Sequence, residues 1–339
     1  MNNYNEVLAN AKEVLAGICN VCPDCNGVAC KGKVPGVGAK GSGSSFTVCR
    51  EFFKSVKIKM DAVHPHFEAN TEIELFGQKF QYPFFVAPIG GMALNYGGKL
   101  TETEFATSVV NGARAAGTFA FTGDGPNEAY FADTMPVISS ANGIAISTIK
   151  PWEQEKCLAR IKEIEKAGGM AVAMDVDSAS LINLKLQGKA VYTKGLDDLK
   201  ELVNATKLPL IVKGVMTPEA ALRCAEAGCY GIVVSNHGGR VMDDTPAPAS
   251  MIPEIRFAVG NKLKIFVDGG IRSGNDIFKC LALGADAVLI GRPYAIAAHG
   301  GREEGVKLLT EKLGAELKET MLMTDCKDLP SININKVII

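Results

Sequence analysis

A histidine and an arginine lie close together in the stretch VVSNHGGRVMDD, residues 233–244. His237 and Arg240 follow a short apolar run, and the two glycines between them allow a sharp turn. A neutral imidazole can accept a proton near pH 7, and an arginine can bind a carboxylate through paired hydrogen bonds. His237 could also be a simple cap of the turn, but the nearby Arg240 favours a chemical role.

Other polar residues also follow apolar runs. Lys213 ends the run LPLIVK, where burial of its charge is costly unless an anion lies beside it. That anion is either a bound ligand or an acid on a neighbouring strand, and the sequence leaves both open. Further polar residues at the ends of runs are Asp175, Asp177, Ser235 and Asp268.

Two glycine-containing stretches, DGGIRSG and IGRP, each carry an arginine. The backbone N–H groups of Gly269, Gly270 and Gly291 can approach an anion without side-chain interference. Arg272 and Arg292 would add charge-assisted hydrogen bonds. Together these residues predict a ligand that carries a phosphate group.

Eight short apolar runs alternate with amphipathic stretches from about residue 84 onwards. Each run lacks the alternation of a half-exposed strand, as expected for strands buried on both faces. The runs are residues 84–88, 118–122, 143–147, 170–175, 208–213, 231–235, 264–268 and 286–291. Eight strand–helix units predict an α/β fold, a (β/α)₈ barrel, in which active sites lie at the carboxyl ends of the strands.

Helix signals separate these runs. Residues 217–228 begin with a capping Thr and a Pro and end at Gly, and residues 273–285 begin with a capping Ser. A doubly wound open sheet is the alternative fold. It predicts a G-x-G-x-x-G turn after the first strand, which APIGGMALNYGG does not supply.

The composition is that of an ordinary globular protein, with 47% hydrophobic residues, 22% charged residues and a formal net charge of −1. This balance predicts neither a nucleic-acid partner nor a membrane partner. The polar start of the chain does not resemble a secretory signal, so we expect a cytoplasmic protein. We predict a Cys- and Gly-rich extension over residues 1–50 and the barrel over residues 51–339.

Two long stretches resemble the FMN-dependent 2-hydroxy-acid oxidases and dehydrogenases, which include glycolate oxidase and lactate oxidase. They are LPLIVKGVMTPEAALRCAEAGCYGIVVSNHGGRVMDDTPA and IFVDGGIRSGNDIFKCLALGADAVLIGRPY. The resemblance is close over residues 196–326 and looser over residues 51–195. It implies a (β/α)₈ barrel with FMN at its mouth, oxidation of an (S)-2-hydroxy acid to a 2-oxo acid, and a homo-oligomer, a tetramer by analogy.

The resemblance also implies individual roles. His237 matches the family's catalytic base, Asp177 the aspartate that hydrogen-bonds it, and Arg240 the arginine that binds the substrate carboxylate. Lys213 would stabilise the reduced flavin. The other residues implied to hold FMN are Pro88, Ile89, Gly90, Thr122, Ser235, Asp268, Gly270, Arg272, Gly291 and Arg292.

The chain departs from the family at three substrate-facing positions. ISTIKPW lacks the tyrosine that the family has after strand 3, and DVDSASLINL lacks a second arginine. KVPGVGAKGSGSSF replaces a region that carries another tyrosine. The sequence therefore predicts a small-molecule carboxylate as substrate without identifying it, and it does not identify the electron acceptor.

Four of the ten cysteines, Cys19, Cys22, Cys25 and Cys30, form the run CNVCPDCNGVAC. This density is typical of Zn²⁺ or iron–sulfur ligands and resembles bacterial ferredoxin spacing without reproducing it. The alternative is a loop of unligated thiols over the barrel mouth. The other six cysteines are expected to be small buried hydrophobic residues.

Two further functions stay open at this point. A similar barrel serves the FMN-dependent type 2 isopentenyl diphosphate isomerases, although that chemistry does not call for the histidine–arginine pair. A flavin- or metal-based redox sensor is the other possibility, because the barrel and the cysteine run could combine in one.

Overall fold

Eight parallel strands form a barrel in the computed structural model, which describes residues 3–339. The sheet has the order β1-β8-β7-β6-β5-β4-β3-β2, and a parallel bridge between Val86 and Ala120 closes it. The strands are β1 (Phe84–Val86), β2 (Phe121–Thr122), β3 (Ile146–Ile149), β4 (Ala171–Asp175), β5 (Leu210–Val215), β6 (Gly231–Val234), β7 (Lys264–Val267) and β8 (Ala287–Ile290).

Helices surround this barrel and extend it at both ends of the chain. They are α1 (Tyr4–Val14), α2 (Ser44–Ser55), α3 (Met92–Tyr96), α4 (Glu102–Ala115), α5 (Ala129–Ala132), α6 (Met135–Ser140), α7 (Gln154–Ala167), α8 (Ile182–Leu186), α9 (Leu196–Asn204), α10 (Pro218–Glu226), α11 (Ile252–Val259), α12 (Gly274–Ala282) and α13 (Arg292–Leu322). Helix α13 is interrupted at Arg302, which has a φ of 51°. Thr217 and Ser273 cap α10 and α12 as predicted, each accepting a backbone N–H with its side chain.

Two apolar layers hold the strands in place. Inward-facing residues such as Phe85, Phe121 and Phe266 fill the barrel interior, and the alternate residues pack against the helices. A hairpin of Ile73–Leu75 and Gln78–Phe80 contributes to the inner layer, where Phe80 packs on Phe85. The interior is therefore filled from this hairpin upwards, and the open cavity lies at the opposite end, where the strands finish.

The predicted barrel is confirmed. Six of the eight apolar runs contain a whole strand, and the runs 143–147 and 208–213 overlap strands that continue to Ile149 and Val215. Closure of the sheet excludes the doubly wound alternative, because an open sheet has two free edges. The proposed division at residue 50 stays a prediction, and it falls within α2. Among the described residues, no helix is both long enough and apolar enough to cross a membrane.

The segment between α1 and α2, residues 15–43, folds mostly as turns over the barrel mouth. Its backbone carbonyls accept hydrogen bonds from three arginines of the barrel, Arg240, Arg272 and Arg292. Long segments without regular structure are uncommon in compact folds and are often functional. This segment therefore forms part of the wall of the cavity at the barrel mouth, where Gly36 and Val37 line it.

Candidate active site

A cavity of about 1110 Å³, counting the space that opens to solvent, lies at the carboxyl ends of the barrel strands. Most of the residues predicted to hold the cofactor or substrate line it. They are Pro88, Ile89, Gly90, Lys213, His237, Arg240, Asp268, Gly270, Arg272, Gly291 and Arg292. Three predicted residues, Thr122, Asp177 and Ser235, are buried behind this wall or only slightly exposed at it.

Lys213 lies at the floor of the cavity and is almost fully buried. Its Nζ lies 2.9 Å from Oδ1 of Asp175, its direct partner in the register of β4 and β5. Asp268 and Asp177 lie farther away, at 3.8 and 3.9 Å. Burial acts to lower the pKa of Lys213, but these three carboxylates together raise it, so the ammonium group stays charged. The sequence left two possible anions beside Lys213, a bound ligand or an acid on a neighbouring strand. The structure shows the second, Asp175.

His237 lies in a tight turn after β6, with a φ of 57°, and the following Gly238 and Gly239 also have positive φ. A Cβ on Gly238 would lie only 2.6 Å from the Arg292 guanidinium, so glycine permits this close approach. Nδ1 of His237 lies 2.9 Å from Oδ1 of Asp177. Because Nδ1 is engaged, Nε2 is the ring nitrogen available to accept a proton.

The electrostatic surroundings keep His237 neutral. Burial lowers the pKa of its imidazole well below 6.5, and the positive charges of Lys213, Lys150 and Arg240 act in the same direction, while Asp175 opposes them. Burial and the neighbouring Asp175 carboxylate raise the pKa of Asp177, while the positive charges of Lys213 and Lys150 oppose this and favour the ionised carboxylate that accepts the Nδ1–H of His237. A buried neutral imidazole beside an acid is poised to act as a base.

Arg240 reaches the cavity from the end of the same turn. Its guanidinium donates to the carbonyl oxygens of Gly36 and Gly38, at 2.6 and 3.3 Å, and to Oδ1 of Asn95 at 2.9 Å. Burial and the nearby Arg292 lower the pKa of Arg240 to about 10, which leaves it charged at neutral pH. These contacts fix the guanidinium plane at the cavity wall, where a carboxylate could bind.

The predicted phosphate site lies at the ends of β7 and β8. Gly270 has a φ of 80°, and a Cβ there would lie 2.8 Å from the backbone of Cys49. Arg272 donates to the carbonyl of Cys25 at 3.1 Å, and Arg292 donates to the carbonyl of Val37 at 2.9 Å. Both guanidinium groups therefore lie at the cavity and donate hydrogen bonds to neutral carbonyl oxygens. A phosphate group, being charged, would accept stronger hydrogen bonds from them.

Several buried polar atoms in the cavity wall or behind it have no hydrogen-bond partner within residues 3–339. They are Thr122 Oγ1, Ser147 Oγ, Thr148 Oγ1 and Asp268 Oδ1, at or beside the ends of β2, β3 and β7. Such atoms are costly unless a ligand satisfies them. At the rim, Gly123 packs closely on Gly90, because a Cβ on Gly123 would lie only 2.6 Å from the backbone nitrogen of Gly90. These features suit a ligand with a polar ring at the floor and a phosphate at the arginines.

The sequence did not single out three cavity residues, Asn95, Lys150 and Asn183. Lys150 follows β3 directly, so the strand-end signal that identified Lys213 could have found it. Asn95 and Asn183 lie on short helices, and their sequence carries no comparable signal. Asn183 Nδ2 donates to Asn95 Oδ1 at 3.2 Å, which links two walls of the cavity.

The four N-terminal cysteines do not form a compact ligand set. In the part of the chain that the structure describes, the group whose ligand atoms lie within 4.8 Å of one another is Asp175, Asp177 and His237. The carboxylate of Asp175 is already paired with lysine ammonium groups. Cys19, Cys22, Cys25 and Cys30 are free and half-buried, and Cys25 Sγ lies 3.6 Å from the Arg272 guanidinium. The prediction of zinc or an iron–sulfur cluster gains no support from this geometry.

Comparison with known proteins gives a consistent result. The family model described as FMN-dependent dehydrogenase matches residues 37–194 and 186–338. A peroxisomal (S)-2-hydroxyacid oxidase of Arabidopsis thaliana and an L-lactate oxidase of Alicycliphilus denitrificans are each 31% identical over 303 residues, covering 78% of this chain and 80% of theirs. A crystal structure of mandelate oxidase with (S)-2-phenylpropionate superposes with a TM-score of 0.79 at 26% identity, covering 100% of this chain and 98% of that one.

The geometry of the phosphate site predicts the effect of removing its charges. We expect the double variant Arg272→Met/Arg292→Met to bind FMN much more weakly, because each charge-assisted hydrogen bond contributes about 1.5–3 kcal/mol. Fluorescence titration of the apoprotein with FMN measures this loss. Arg223→Met, at an exposed arginine of α10, is the matched control and should bind as the parent does. Unchanged affinity in the double variant would contradict the assignment.

The cysteine prediction has a direct test of its own. If Cys19, Cys22, Cys25 and Cys30 bind a metal or cluster, an anaerobic preparation should contain zinc or iron that is lost in the Cys22→Ser/Cys25→Ser variant. Elemental analysis measures both metals, and Cys224→Ala, at a buried cysteine of α10, is the control. Absence of both metals from the anaerobic protein would leave a plain loop of thiols.

Proposed function

The chain belongs to the FMN-dependent dehydrogenase family, and we propose that it oxidises an (S)-2-hydroxy acid to the 2-oxo acid with bound FMN. The observation that carries this proposal is the pairing of His237 Nδ1 with Asp177 at 2.9 Å, in a cavity that also presents Arg240 and Lys213. A base, a carboxylate anchor and a cation are the three groups that the reaction needs. The family relatives are oxidases and dehydrogenases, so isomerase chemistry is not favoured.

FMN fits the residues of the cavity. Arg272 and Arg292, with the backbone N–H groups of Gly270 and Gly291, would hold its phosphate. Asp268 and Ser235 would hold the ribityl chain, and the unpartnered Thr122 would face the ring edge. The backbone of Pro88, Ile89 and Gly90 would lie against the ring, with Lys213 near its N1–C2=O edge. When bound, FMN supplies a two-electron acceptor at the substrate carbon.

The chain's own residues would handle the substrate and its proton. Arg240 would bind the carboxylate, since its guanidinium stays charged and faces the cavity. His237 would take the hydroxyl proton on Nε2, because its imidazole is neutral at working pH. Asp177 orients the ring through Nδ1 and would stabilise the imidazolium after proton transfer. Lys213 would balance the negative charge of the reduced cofactor.

The substrate side differs from the family pattern, and this bears on substrate choice. The segment DVDSASLINL, which lacks the family's second arginine, carries Asn183. Asn183 donates a hydrogen bond to Asn95 Oδ1, the same oxygen that accepts a hydrogen bond from Arg240. One arginine therefore anchors the carboxylate, and amides replace the remaining charge. We infer a monocarboxylic 2-hydroxy acid as substrate. A homo-oligomer, a cytoplasmic location and the identity of the electron acceptor stay predictions.

Replacement of the base tests the proposed reaction. We expect His237→Gln to retain FMN and to lose roughly 10²–10⁴-fold in the rate of flavin reduction, the range typical for loss of a general base. Anaerobic stopped-flow measurement of flavin bleaching by 2-hydroxy acids gives this rate. His66→Gln, at an exposed histidine, is the matched control. A His237→Gln protein that reduces FMN at the parental rate would remove the assignment.

The lowered pKa of His237 predicts the pH dependence of the reaction. An imidazole is a base only above its pKa, and here burial holds that pKa well below 6.5. The charged groups around it are Asp175, Asp177, Lys213, Lys150 and Arg240. We therefore expect kcat/KM to be level at pH 6.5 and to fall only as the pH drops well below that value. A decline that begins above pH 6.5 would contradict the neutral base.

A further inference from the structure

A second buried lysine, Lys150, lies at the cavity floor beside Lys213. It follows β3 directly, in the segment ISTIKPW. Its Nζ lies 2.5 Å from Oδ2 of Asp175 and 2.9 Å from Oγ of Ser178. Only about 6% of Lys150 and 2% of Asp175 is exposed, so this ion pair is shielded from solvent.

The backbone of Lys150 is fixed by an aspartate on the neighbouring strand end. The Lys150 N–H donates to Oδ2 of Asp124 at 2.9 Å, and the indole N–H of Trp152 donates to the same oxygen at 2.7 Å. Oδ1 of Asp124 accepts from the N–H of Gly125. The lysine therefore enters the cavity from a defined position, and its side chain is part of the cavity wall.

Asp175 is shared between the two lysines. Lys213 binds Oδ1 and Lys150 binds Oδ2, so each carboxylate oxygen has an ammonium group of its own. With only one of these lysines, the carboxylate charge would cancel the charge of its single partner. With both, Lys150 offsets the charge of Asp175, so this nearest carboxylate no longer cancels the positive charge of Lys213. Asp268 and Asp177, at 3.8 and 3.9 Å from Lys213 Nζ, are the more distant acids beside it. In a buried site, the charge of Lys213 acts strongly on its neighbours because screening by solvent is weak.

We propose that Lys150 sets the reduction potential of the bound flavin: by pairing with Asp175, it leaves the positive charge of Lys213 to stabilise the reduced, anionic ring. Lys150 is thus a positioning residue that acts through Asp175 and Lys213. This inference rests on the proposed FMN site, because Lys150, Asp175 and Lys213 all line that cavity. The chain would thereby make oxidation of its substrate more favourable.

A purely structural ion pair would behave differently. Burial of a lysine–aspartate pair costs desolvation energy and is poor evidence for a stabilising role by itself. A structural pair would affect unfolding and leave the potential of bound FMN unchanged. A charge-setting pair must move that potential, in opposite directions for loss of the cation and loss of the anion.

The test measures the midpoint potential of FMN bound to the whole protein, by anaerobic equilibration with a reference dye. We expect Lys150→Met to lower the potential, with at least a tenfold change in the ratio of reduced to oxidised flavin, about 30 mV for a two-electron couple. Asp175→Asn should raise it. Lys279→Met is the matched control, because Lys279 is a half-buried lysine that donates to the Phe53 carbonyl away from the cavity. It should leave the potential unchanged.

Each result decides the inference. An unchanged potential in Lys150→Met, or an equal shift in Lys279→Met, would overturn it. If Lys150→Met does not fold or retain FMN, Asp175→Asn decides, and a potential that does not rise overturns the inference. A parent protein that binds no FMN would instead refute the proposed function. Flavin reduction by a hydroxy acid together with unmoved potentials would refute this inference alone.

Discussion

The buried carboxylate of Asp175 determines the arrangement of the cavity floor. A buried charge is tolerated only when opposite charges and hydrogen bonds surround it. Here Lys150, Lys213 and Ser178 supply them, from the ends of β3 and β5 and from the turn after β4. Burial alone would raise the pKa of Asp175, yet the ammonium groups of Lys150 and Lys213 hold it well below its usual value. The charged forms of the Asp175 carboxylate and the two lysine ammonium groups therefore depend on one another.

Strand register makes this arrangement possible. Asp175 and Lys213 are direct partners in the parallel pairing of β4 and β5, so their side chains reach the same height in the barrel. A shift of either strand by one residue would move one charge out of the interior, because alternate residues face opposite sides of the sheet. Below these charged residues, aromatic rings fill the barrel, and the ring centroids of Phe85 and Phe119 are stacked 3.8 Å apart. This packing fixes the height in the barrel at which the charged residues begin. The apolar interior thus sets the position of the chemistry above it.

The cavity rim depends on a different kind of contact. Arg240, Arg272 and Arg292 donate to backbone carbonyls of residues 25–38, which belong to the segment between α1 and α2. Carbonyl acceptors are neutral, so the three guanidinium groups stay available to anionic partners. Phe46 lies against the Arg292 guanidinium at 3.8 Å and limits the planes it can adopt. The N-terminal segment therefore shapes the entrance while the barrel supplies the charges.

Local sequence patterns determined the strands, the helix caps and the strand-end positions of Lys213, His237 and Asp268, because burial periodicity and capping act over a few residues. The long motifs identified the family for the same reason, since they are contiguous. Only the tertiary structure decided that Asp175 pairs with both Lys150 and Lys213, and that Asn95 fixes Arg240. It also left the four clustered cysteines without a compact ligand set, despite their spacing. These outcomes depend on distances between residues that are far apart in the chain, which closure of the barrel determines and no local pattern contains.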